Sequence, residues 1–529
     1  MTTTDDTDIA AGRRMSHAAQ LSRHARKRPC APALSHGGRT LTYGDLNDRV
    51  CALARGLAEA GVHRGERAVV LMKNRIEVVE SYLAIVKLGA IAVPVNFRLT
   101  AAEVEYIVED SDPVVILTDD DLVSVVQELG RVRDGSLPVI HASAAPAEGT
   151  RPYNALVGGD TSEFPLDVPE DDPAFLMYTS GTTGRPKGAV LTHMNLFMNS
   201  MNSVSGQGVE YEGEVWLSGL PLFHIGGLNG ILIYLLVGGH TVLMDSGDFS
   251  AERAIATIEA YGVTGCYFVP TQWREICEVP DAAQRAASLR RISWGASIAP
   301  PSTLQAMADT FEGVPNFNMF GQTEMSSVTC MLRGEDAVRK MGTVGTPVPL
   351  VEARIVDPEG NDCRVGEVGE IVYRGPTVMR EYWRNPTATA EAFRGGWFHS
   401  GDLCVEDEDG FITVVDRNKD MIISGGENIY SAEVEAAIDA HPKVREVSVV
   451  ARPHEKWVET PTAFVVPVEG IDGPTEDEII AFCRERIASY KKPTAVVLVD
   501  ELPKNAVGKV QKFKLRETAR DLVPASDRA

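Results

Sequence analysis

Hydrophobic and polar positions along residues 40–120 follow two rhythms, one typical of strands and one of helices. Residues 68–72 and 114–117 are short, continuous apolar runs, which favour buried strands. Between them, residues 77–88 repeat apolar positions every three or four residues and therefore predict an amphipathic helix. The same alternation continues to about residue 330, so this part of the chain is expected to fold as layered α/β sheets.

After residue 344 the pattern changes to short apolar runs separated by glycine and proline, and it keeps this texture to residue 415. Residues 371–373 and 411–415 are two such runs. Short strands with turn residues between them are typical of a β-rich subdomain. The predicted fold class of the N-terminal part is therefore α/β with a β-rich subdomain at its end.

The chain beyond residues 416–420 predicts a compact α+β unit of about a hundred residues, a size that can fold alone. Ser431 is expected to cap its first helix, and Thr475 with Glu478 is expected to form a capping box for its second. The apolar positions of these helices are Val434, Ala437, Ile438, Ile479, Phe482 and Ile487. Strand-like runs occupy residues 447–450, 463–466 and 495–499.

Length and composition limit the class of protein. The chain has 529 residues, too many for one hydrophobic core, so at least two domains are expected. Its eight cysteines include no C-x-x-C pair, which favours reduced thiols in a cytoplasmic protein over a disulfide framework or a zinc site. Residues 1–14 lack the apolar core of a signal peptide. These residues and residues 521–529 are expected to be disordered tails.

Charge and hydropathy exclude two further classes. The formal net charge of −23 argues against nucleic acid as a partner, because nucleic-acid binding needs a basic surface. Residues 215–244 carry no Asp, Glu, Lys or Arg and are long enough to span a bilayer. Pro221, His224, Asn229 and five glycines between residues 226 and 239 nevertheless divide this stretch. A buried loop, helix and strand are therefore predicted here, and no transmembrane segment.

The candidate chemistry begins at residues 178–190, which read YTSGTTGRPKGAV. Glycines let backbone N–H groups turn toward one anion, while the hydroxyls and a lysine add donors and positive charge. A phosphate-binding loop is predicted, with the ligand residues Thr179, Ser180, Gly181, Thr182, Thr183, Gly184 and Lys187. It is not a Walker A loop, because its lysine follows proline and precedes glycine. A flexible surface loop is the plainer alternative, but the apolar run at residues 174–177 favours a buried strand leading into a binding loop.

This run resembles the signature loop of the adenylate-forming (ANL) superfamily, which comprises acyl-CoA synthetases, luciferases and peptide-synthetase adenylation domains. The resemblance extends from about residue 15 to about residue 520, because further motifs follow in the family's order. It implies a large N-terminal domain at residues 15–416, a hinge at residues 417–420 and a small mobile C-terminal domain at residues 421–520. It also implies ATP, AMP, Mg²⁺ and coenzyme A as ligands.

Residues 318–324, NMFGQTE, resemble the family's aromatic-Gly-x-Thr-Glu motif. By this resemblance the ring of Phe320 stacks on adenine, Thr323 approaches the α-phosphate, and Glu324 holds Mg²⁺. The remaining residues that the resemblance places at the nucleotide are Ala296, Ser297, Asn318 and Gly321. Residues 294–298, WGASI, replace the family's more usual Gly-Ala-Pro run and leave the shape of the pocket near adenine open.

Residues 396–402, GWFHSGD, resemble the motif whose aspartate accepts hydrogen bonds from both ribose hydroxyls. One carboxylate offers two oxygens to two neighbouring OH groups, so Asp402 suits this role. Arg417, in the hinge motif, is implied to contact the same nucleotide. The plainer alternatives are a turn residue for Asp402 and a surface ion pair for Arg417.

Residues 503–509, PKNAVGK, resemble the family's C-terminal motif and place Lys509 at its catalytic lysine. Negative charge accumulates when a carboxylate attacks an anionic phosphate, and an ammonium group bridging the reacting oxygens stabilises that transition state. A compact charge on a flexible stem suits this task. An ordinary surface lysine is the alternative.

The resemblance also implies how the small domain moves and how it meets CoA. The domain turns about Lys419, withdraws the catalytic lysine and presents Gly425, Gly426 and Glu427 to the pantetheine arm. Trp457 is implied to face the CoA channel, although Val458 stands beside it where relatives often have glycine. The basic C-terminal segment is expected to help hold the phosphates of CoA.

The acid-binding residues are the least specific part of the prediction. His224 follows Phe223 in the segment where relatives place a gate beside the substrate carboxylate, and a satisfied core histidine is the alternative. The small and apolar residues implied to line the acyl tunnel are Gly226, Gly227, Val269, Gly295, Met319, Met325 and Ser326. No aspartate follows the Phe–His pair to bind an α-ammonium group, so an amino acid is disfavoured as substrate.

The sequence therefore predicts an AMP-forming acyl-CoA synthetase that uses a carboxylic acid, ATP and CoA. A fatty acid is favoured as substrate, and an aryl acid of hydroxycinnamate or benzoate type is the alternative. A ligase that loads a carrier protein and a non-catalytic nucleotide-binding protein are the further alternatives. The sequence leaves a homodimer open.

Overall fold

The structure is a computed structural model, and it describes residues 13–164, 167–179, 186–247, 249–297, 299–417, 420–424, 427–454, 456–470, 472–504 and 510–522. The helices are His17–Lys27 (α1), Tyr43–Glu59 (α2), Ile76–Lys87 (α3), Ala101–Ser111 (α4), Val123–Gln127 (α5), Gly130–Arg133 (α6), Tyr153–Val157 (α7), His193–Gln207 (α8), Ile225–Val237 (α9), Ala251–Tyr261 (α10), Pro270–Cys277 (α11), Ala282–Arg285 (α12), Pro301–Thr310 (α13), Pro386–Ala392 (α14), Ser431–Asp439 (α15), Glu476–Arg484 (α16) and Lys512–Arg520 (α17). Short 3₁₀ helices span Thr323–Met325 and Arg394–Gly396.

The strands of the first half of the chain are Pro32–His36 (β1), Arg39–Thr42 (β2), Arg67–Leu71 (β3), Ile91–Pro94 (β4), Val115–Asp119 (β5), Val139–Ala142 (β6), Arg151–Pro152 (β7), Pro173–Thr179 (β8), Lys187–Thr192 (β9), Val215–Ser218 (β10), His240–Leu243 (β11) and Gly265–Tyr267 (β12). Those of the second half are Arg291–Gly295 (β13), Asn316–Gln322 (β14), Ser327–Leu332 (β15), Thr346–Pro347 (β16), Glu352–Val356 (β17), Gly369–Arg374 (β18), Glu381–Tyr382 (β19), Phe398–Glu406 (β20), Ile412–Arg417 (β21), Ile422–Ser424 (β22), Glu427–Ile429 (β23), Val444–His454 (β24), Val458–Pro467 (β25) and Ala495–Leu498 (β26).

Two large, mainly parallel sheets form the N-terminal part. Within the described residues, one sheet has nine strands in the order β16-β15-β14-β13-β12-β10-β11-β1-β2, and the other has eight in the order β19-β9-β8-β4-β3-β5-β6-β7. Residues from both sheets and from the helices between them share one hydrophobic core. The predicted α/β layers are confirmed.

Helix α3 differs from its predicted amphipathic character. Every one of its residues except Glu77 is buried, because it lies within the shared core instead of on its surface. Its two other charged residues are neutralised by partners, since Glu80 accepts hydrogen bonds from Arg49 and Tyr153 and Lys87 pairs with Glu163. Charged residues can be buried when they are paired. The partners of these two residues are distant in the sequence, so the spacing of apolar positions could not reveal that the helix is buried.

The predicted β-rich subdomain is a sheet of β17, β18, β20 and β21, and the C-terminal unit follows it. In that unit β22 to β26 form a sheet that packs against α15 and α16. Thr475 and Glu478 form the predicted capping box. Ser431, in contrast, does not cap α15 but is its first residue, because Asp416 from β21 accepts both its N–H and its hydroxyl proton at 2.6 and 2.8 Å.

The charge-free stretch at residues 215–244 folds as β10, α9 and β11, which confirms the predicted buried loop, helix and strand. Across the described residues, none of the helices combines the length and apolar character needed to cross a membrane. Loops at the carboxyl ends of β3, β4, β10, β11 and β12 meet in one cleft, and such edges are where ligands of open α/β sheets bind.

Candidate active site

The two ends of the predicted phosphate-binding loop lie on adjacent strands. Strands β8 and β9 pair antiparallel, with Thr179 opposite Lys187 as their last pair. The hydroxyl of Thr179 lies 3.4 Å from Oε1 of Glu324, and Nζ of Lys187 lies 5.2 Å from the ring centre of Tyr382. The structure thus brings Thr179 beside the predicted magnesium ligand and Lys187 beside Tyr382. The other predicted loop residues, Ser180, Gly181, Thr182, Thr183 and Gly184, lie outside the described residues.

Glu324 is held by a tyrosine that sequence reasoning missed. The Tyr382 hydroxyl donates to Glu324 Oε1 at 2.9 Å, and the Glu324 carbonyl accepts the Met379 N–H at 2.6 Å. Burial, together with the negative charge of Glu324, raises the pKa of Tyr382 well above its ordinary value, so its hydroxyl keeps its proton. The sequence feature that could have identified this tyrosine is the aromatic pair Tyr382-Trp383 in residues 380–386, REYWRNP, a run that belongs to none of the motifs described above.

The donor set around Glu324 fits Mg²⁺. Both hydrogen bonds to its side chain end on Oε1, so one carboxylate oxygen is fixed by the protein and orients the group. The described residues contain no cluster of three or more side chains of the kind that enclose a metal ion by themselves. Mg²⁺ is typically bound by one or two carboxylates together with phosphate oxygens and water, and Glu324, beside Thr179, offers one such carboxylate.

The aromatic-Gly-x-Thr-Glu motif lies at the end of β14. A β-bulge falls between Phe320 and Gly321, and a Cβ on Gly321 would lie 1.6 Å from the carbonyl oxygen of Ser327, so this close approach requires glycine. Phe320 is half-buried, and Thr323 begins the 3₁₀ helix that carries Glu324. The amide of Asn318 is buried and donates to the carbonyl of Thr343 at 2.9 Å, so its N–H is already engaged within the fold.

Ala296 and Ser297 follow the carboxyl end of β13 and are exposed. Ala296 adopts a left-handed backbone with φ 67°, which costs a residue with a Cβ about 1–2 kcal/mol. Strained backbone of this kind is concentrated at functional sites. Both residues stay predicted nucleotide contacts.

Asp402 and Arg417 are neighbours across the pair β20–β21. Arg417 Nε lies 2.9 Å from Asp402 Oδ1, and Asp402 is almost fully buried. The charge of Asp402, followed by those of Asp420 and Glu324, raises the pKa of Arg417. The predicted ribose ligand and the predicted hinge arginine therefore form one ion pair, electrostatically coupled to Glu324.

His224 is the N-cap of helix α9. Its Nδ1 accepts the N–H of Gly226 at 3.2 Å, and the neutral ring then carries its proton on Nε2. The side chain is half-buried. It therefore combines a structural capping bond with a donor nitrogen, features of both predicted alternatives.

Close packing of the backbone gives a second reason for glycine in the predicted acyl tunnel. The tunnel glycines were expected to leave space for substrate. A Cβ on Gly227 would lie 2.3 Å from the carbonyl oxygen of Pro221, and one on Gly295 would lie 2.2 Å from that of Met319. A backbone oxygen lies where a Cβ would project from each of these two glycines, so close chain packing requires glycine at both positions. Their place in the acyl tunnel stays a prediction. Gly226 is less restricted, since a Cβ there would lie 3.0 Å from the side chain of Leu220.

The other predicted tunnel residues differ in burial. Val269 lines the cleft at the sheet edges, and Met319 is half-buried. Met325 and Ser326 are fully buried. The Met325 carbonyl accepts the Asn199 amide at 3.2 Å, so this pair belongs to the packed core behind the motif.

The cleft at the sheet edges has a volume of about 290 Å³. Its wall is formed by Asn74, Phe97, Arg98, residues 219–221 and 244–247, Phe249, Arg253, Val269, Thr271, Gln272, Glu275 and Lys504. Lys504, the single C-terminal residue of this set, forms an antiparallel bridge with Val510. The predicted catalytic Lys509 lies outside the described residues. In the sequence it directly precedes Val510, and the bridge partner of Val510 is the cleft-lining Lys504.

The predicted hinge and CoA residues are described only in part. Lys419, Gly425 and Gly426 lie outside the described residues. Glu427 is exposed on β23 and pairs with Ser424, while Trp457 is 42% exposed. Val458, next to Trp457, has φ 70° and also pairs with Ser424, so these residues surround one exposed corner of the C-terminal sheet.

Comparison with known proteins agrees with this geometry. The family model of AMP-binding enzymes matches residues 21–383, and that of the AMP-binding enzyme C-terminal domain matches residues 433–509. A feruloyl-CoA synthase of Amycolatopsis is 38% identical, covering 93% of this chain and 97% of its own. A 2-succinylbenzoate–CoA ligase of Geobacillus kaustophilus is 36% identical, covering 94% and 96%. The solved o-succinylbenzoate CoA synthetase (MenE) of Bacillus subtilis, in complex with its acyl-adenylate OSB-AMP, superposes with a TM-score of 0.83 at 32% identity, covering 96% and 98%.

The fold, Thr179 beside Glu324 and these matches define an adenylate-forming enzyme, and the chain belongs to the AMP-binding enzyme family. It is an AMP-forming acid–CoA ligase.

Proposed function

We propose that this ligase activates an aryl carboxylic acid, of hydroxycinnamate or benzoate type, and transfers the acyl group to CoA. The observation that carries the proposal is the chemistry named for its relatives, a feruloyl-CoA synthase and 2-succinylbenzoate–CoA ligases that align over almost the whole chain. The sequence-based preference for a fatty acid finds no support in these relatives, whereas its aryl alternative does.

The wall of the cleft is compatible with a planar aromatic substrate. Phe97 lines the cleft and packs edge-to-face against Phe223, with ring centres 5.4 Å apart. Phe223 directly precedes His224, the predicted carboxylate gate. Aromatic rings favour such edge-to-face and offset contacts with another ring, so this pair supports an aryl acid in the neighbouring space.

In the first half-reaction a carboxylate oxygen of the acid attacks the α-phosphorus of ATP. The new O–P bond forms as the bond to the β-phosphate oxygen breaks, giving aryl-AMP and pyrophosphate. Thr179 and Lys187 are proposed to hold the phosphates, and Asp402 the ribose. Lys509, on the segment that begins at the cleft-lining Lys504, is proposed to stabilise the charge that develops between the reacting oxygens.

Mg²⁺ bound at Glu324 would neutralise phosphate charge and make pyrophosphate a better leaving group. The protein's own contribution is orientation, since Tyr382 and Thr179 fix one oxygen of the Glu324 carboxylate. A solved structure of the Bacillus subtilis MenE relative contains ATP and a magnesium ion, which supports the pairing of these ligands.

In the second half-reaction the CoA thiolate attacks the carbonyl carbon of aryl-AMP. The thiol proton has passed to solvent when the thiolate forms. The C–S bond then forms as the C–O bond to phosphate breaks, and AMP leaves with the electron pair of that bond. We propose that the C-terminal unit turns about residues 417–420 between the two steps, so that Glu427 and Trp457 replace Lys509 at the cleft. Hinge rotation of this type exchanges one set of groups for another around a bound ligand.

The test is pyrophosphate release with a panel of acids, with and without CoA. The panel contains ferulate, 4-coumarate, benzoate, 2-succinylbenzoate, octanoate and palmitate, and thioester products are identified by mass spectrometry. An aryl acid should give the highest kcat/KM and a CoA thioester. A fatty acid with the highest kcat/KM would overturn the proposed substrate class, and transfer to a holo-carrier protein in preference to CoA would overturn the acceptor.

A further inference from the structure

Helix α4 contacts both strand ends that carry the predicted phosphate-binding side chains. The hydroxyl of Tyr178, beside Thr179 on β8, donates to Asp110 Oδ2 at 2.5 Å. The hydroxyl of Tyr106 donates to the carbonyl of Pro186, directly before Lys187 on β9, at 3.1 Å. One helix therefore holds the outgoing strand by one side chain and the returning strand by another.

The spacing of Tyr106 and Asp110 along the helix allows it to contact both strand ends. Tyr106 and Asp110 are four residues apart, so their side chains lie on one face of α4, about one turn from each other. The strand ends they hold are adjacent, because Thr179 pairs with Lys187. The face of the helix therefore matches the separation of the two strands.

The helix itself is firmly placed. Thr100 and Glu103 form a capping box at its first turn, and Val104, Ile107 and Val108 are buried. At its other end Arg67 donates to the carbonyl of Ser111 at 2.7 Å. A helix fixed at both ends can set the position of the strands it contacts.

The same helix is also connected to the Glu324 side of the site. The indole N–H of Trp383 donates to the carbonyl of Asp110 at 3.1 Å, and Trp383 follows Tyr382, which holds Glu324. Burial and the hydrogen bond to Asp110 raise the pKa of Tyr178 far above its ordinary range, so its phenol remains a donor.

We propose that Tyr106 and Asp110 are positioning residues for ATP, which fix the separation of Thr179 and Lys187 and their distance from Glu324. This inference rests on the proposed role of those side chains in phosphate binding. Neither Tyr106 nor Asp110 belongs to the motifs that identify the family. Their effect on the reaction is exerted through the two strand ends and not by contact with substrate.

The experiment is equilibrium binding of MgATP by calorimetry, in the absence of any acid, to the full chain and to Tyr106→Phe, Asp110→Asn and the double variant. Loss of one hydrogen bond should weaken MgATP binding roughly 3- to 10-fold, and the double variant should be weaker than either single one. The KM for ATP in pyrophosphate release should rise in parallel, while the KM for the acid and the rate of thioester formation from supplied aryl-AMP change less than twofold.

Glu105→Gln is the matched control, because Glu105 lies on the same helix but accepts the N–H of Gly130 at 2.9 Å, away from the strand ends. It should leave MgATP binding unchanged. If Asp110→Asn fails to fold, Tyr178→Phe removes the same hydrogen bond from its other partner. Unchanged MgATP affinity in the folded variants, or an equal rise in the KM of acid and of ATP, would overturn the proposal.

Failure of the proposed function has a separate signature. Wild-type protein that binds MgATP but releases no pyrophosphate with any acid would contradict the substrate assignment. The binding measurement on the variants would still decide whether the helix positions the nucleotide, because it does not depend on turnover.

Discussion

The nucleotide side of the site and the joint to the C-terminal unit are built in different ways. Thr179 and Glu324 lie at or next to the ends of strands of the N-terminal part, Asp402 lies within β20, and each of the three has a partner within that same part. The joint depends on polar side chains brought from separate elements. Ser431 of α15 donates to Asp416 of β21 and accepts from Lys512 of α17 at 2.6 Å.

Further contacts at the joint have the same character. Arg516 pairs with Asp420 at the end of the predicted hinge. Arg274, on the cleft-lining helix α11, donates to the carbonyl of Arg445 in the C-terminal unit at 3.2 Å. Hydrogen bonds of this kind contribute only about 0.5–3 kcal/mol each to the net free energy, since water offers replacement hydrogen bonds when the two units separate. A rigid binding site and a weakly fastened second unit are what two successive half-reactions require.

The largest expected effect comes from removing the group that the second unit supplies. Lys509→Ala should slow aryl-AMP formation by roughly 10²- to 10³-fold, because it removes a charge that acts mainly in the transition state. Thioester formation from supplied aryl-AMP should change only a few-fold. Pyrophosphate release and CoA-thioester formation, measured separately, check the two values.

Arg484→Ala, which removes an exposed cation on α16 of the same unit and outside the basic C-terminal segment, is the control and should leave both rates unchanged. An equal loss of both half-reactions in Lys509→Ala would contradict the division of labour between the two regions.

The next effect concerns the rigid side. Glu324→Gln keeps the size of the side chain but removes the charge that the Mg²⁺ role requires. Adenylation should fall roughly 10- to 100-fold, the range expected for a charged hydrogen-bonded group, and the Mg²⁺ concentration for half-maximal rate should rise. A Mg²⁺ titration of pyrophosphate release measures both.

An unchanged Mg²⁺ requirement in Glu324→Gln would remove Glu324 from the metal site. Tyr382→Phe sharpens the result, since it frees the carboxylate without changing its charge and should produce a smaller shift in the same direction.

Strand-end geometry predicts a stability effect at Gly321. In Gly321→Ala the added methyl would meet the Ser327 carbonyl at 1.6 Å, so the bulge must open. A cost of about 1–3 kcal/mol is expected from such overpacking, seen as a lower Tm by calorimetry. Gly262→Ala is a comparison at an open position, where strain from the positive φ is the sole penalty; an equal or larger loss there would contradict the close-approach argument.

The smallest expected effect lies at the joint. Arg274→Ala removes a hydrogen bond between the units and should slow adenylation by about 2- to 5-fold, in line with a partly exposed polar contact. Thioester formation from supplied aryl-AMP should not slow. The hydrogen bond from Arg274 to Arg445 forms in the orientation of the C-terminal unit that places Lys504 at the cleft, and this orientation is assigned to adenylation. Arg285→Ala, whose partners Glu252 and Glu259 lie in its own part of the chain, is the control. Equal slowing of both half-reactions by Arg274→Ala would show that the contact is not specific to one orientation.

Local signals predicted much of this molecule. The apolar runs located the strands that lead to the site, and the motif residues Thr179 and Glu324 lie 3.4 Å apart with Lys187 paired beside Thr179. These features depend on periodicity, turn chemistry and short motifs, all of which are readable within a few residues.

Features that depend on distant partners were missed or misjudged. Tyr382 lies 58 positions from the Glu324 that it holds, and α3 is buried on nearly all sides because two sheets enclose it. Ser431 was expected to cap a helix, but a carboxylate 15 residues earlier performs that task. Gly227 and Gly295 were expected to leave space for substrate, and the backbone oxygens that lie in the Cβ direction of both glycines were not foreseen. In each case tertiary packing decided between structures that the local sequence allows equally.

The most direct measurement is a single-turnover reaction of wild-type protein with MgATP and an aryl acid, first without CoA and then with it. The account predicts one protein-bound aryl-AMP and one pyrophosphate per active site before CoA is added, followed by conversion of that aryl-AMP to CoA thioester and AMP. Formation of ADP and phosphate, or of no aryl-AMP until CoA is present, would contradict it.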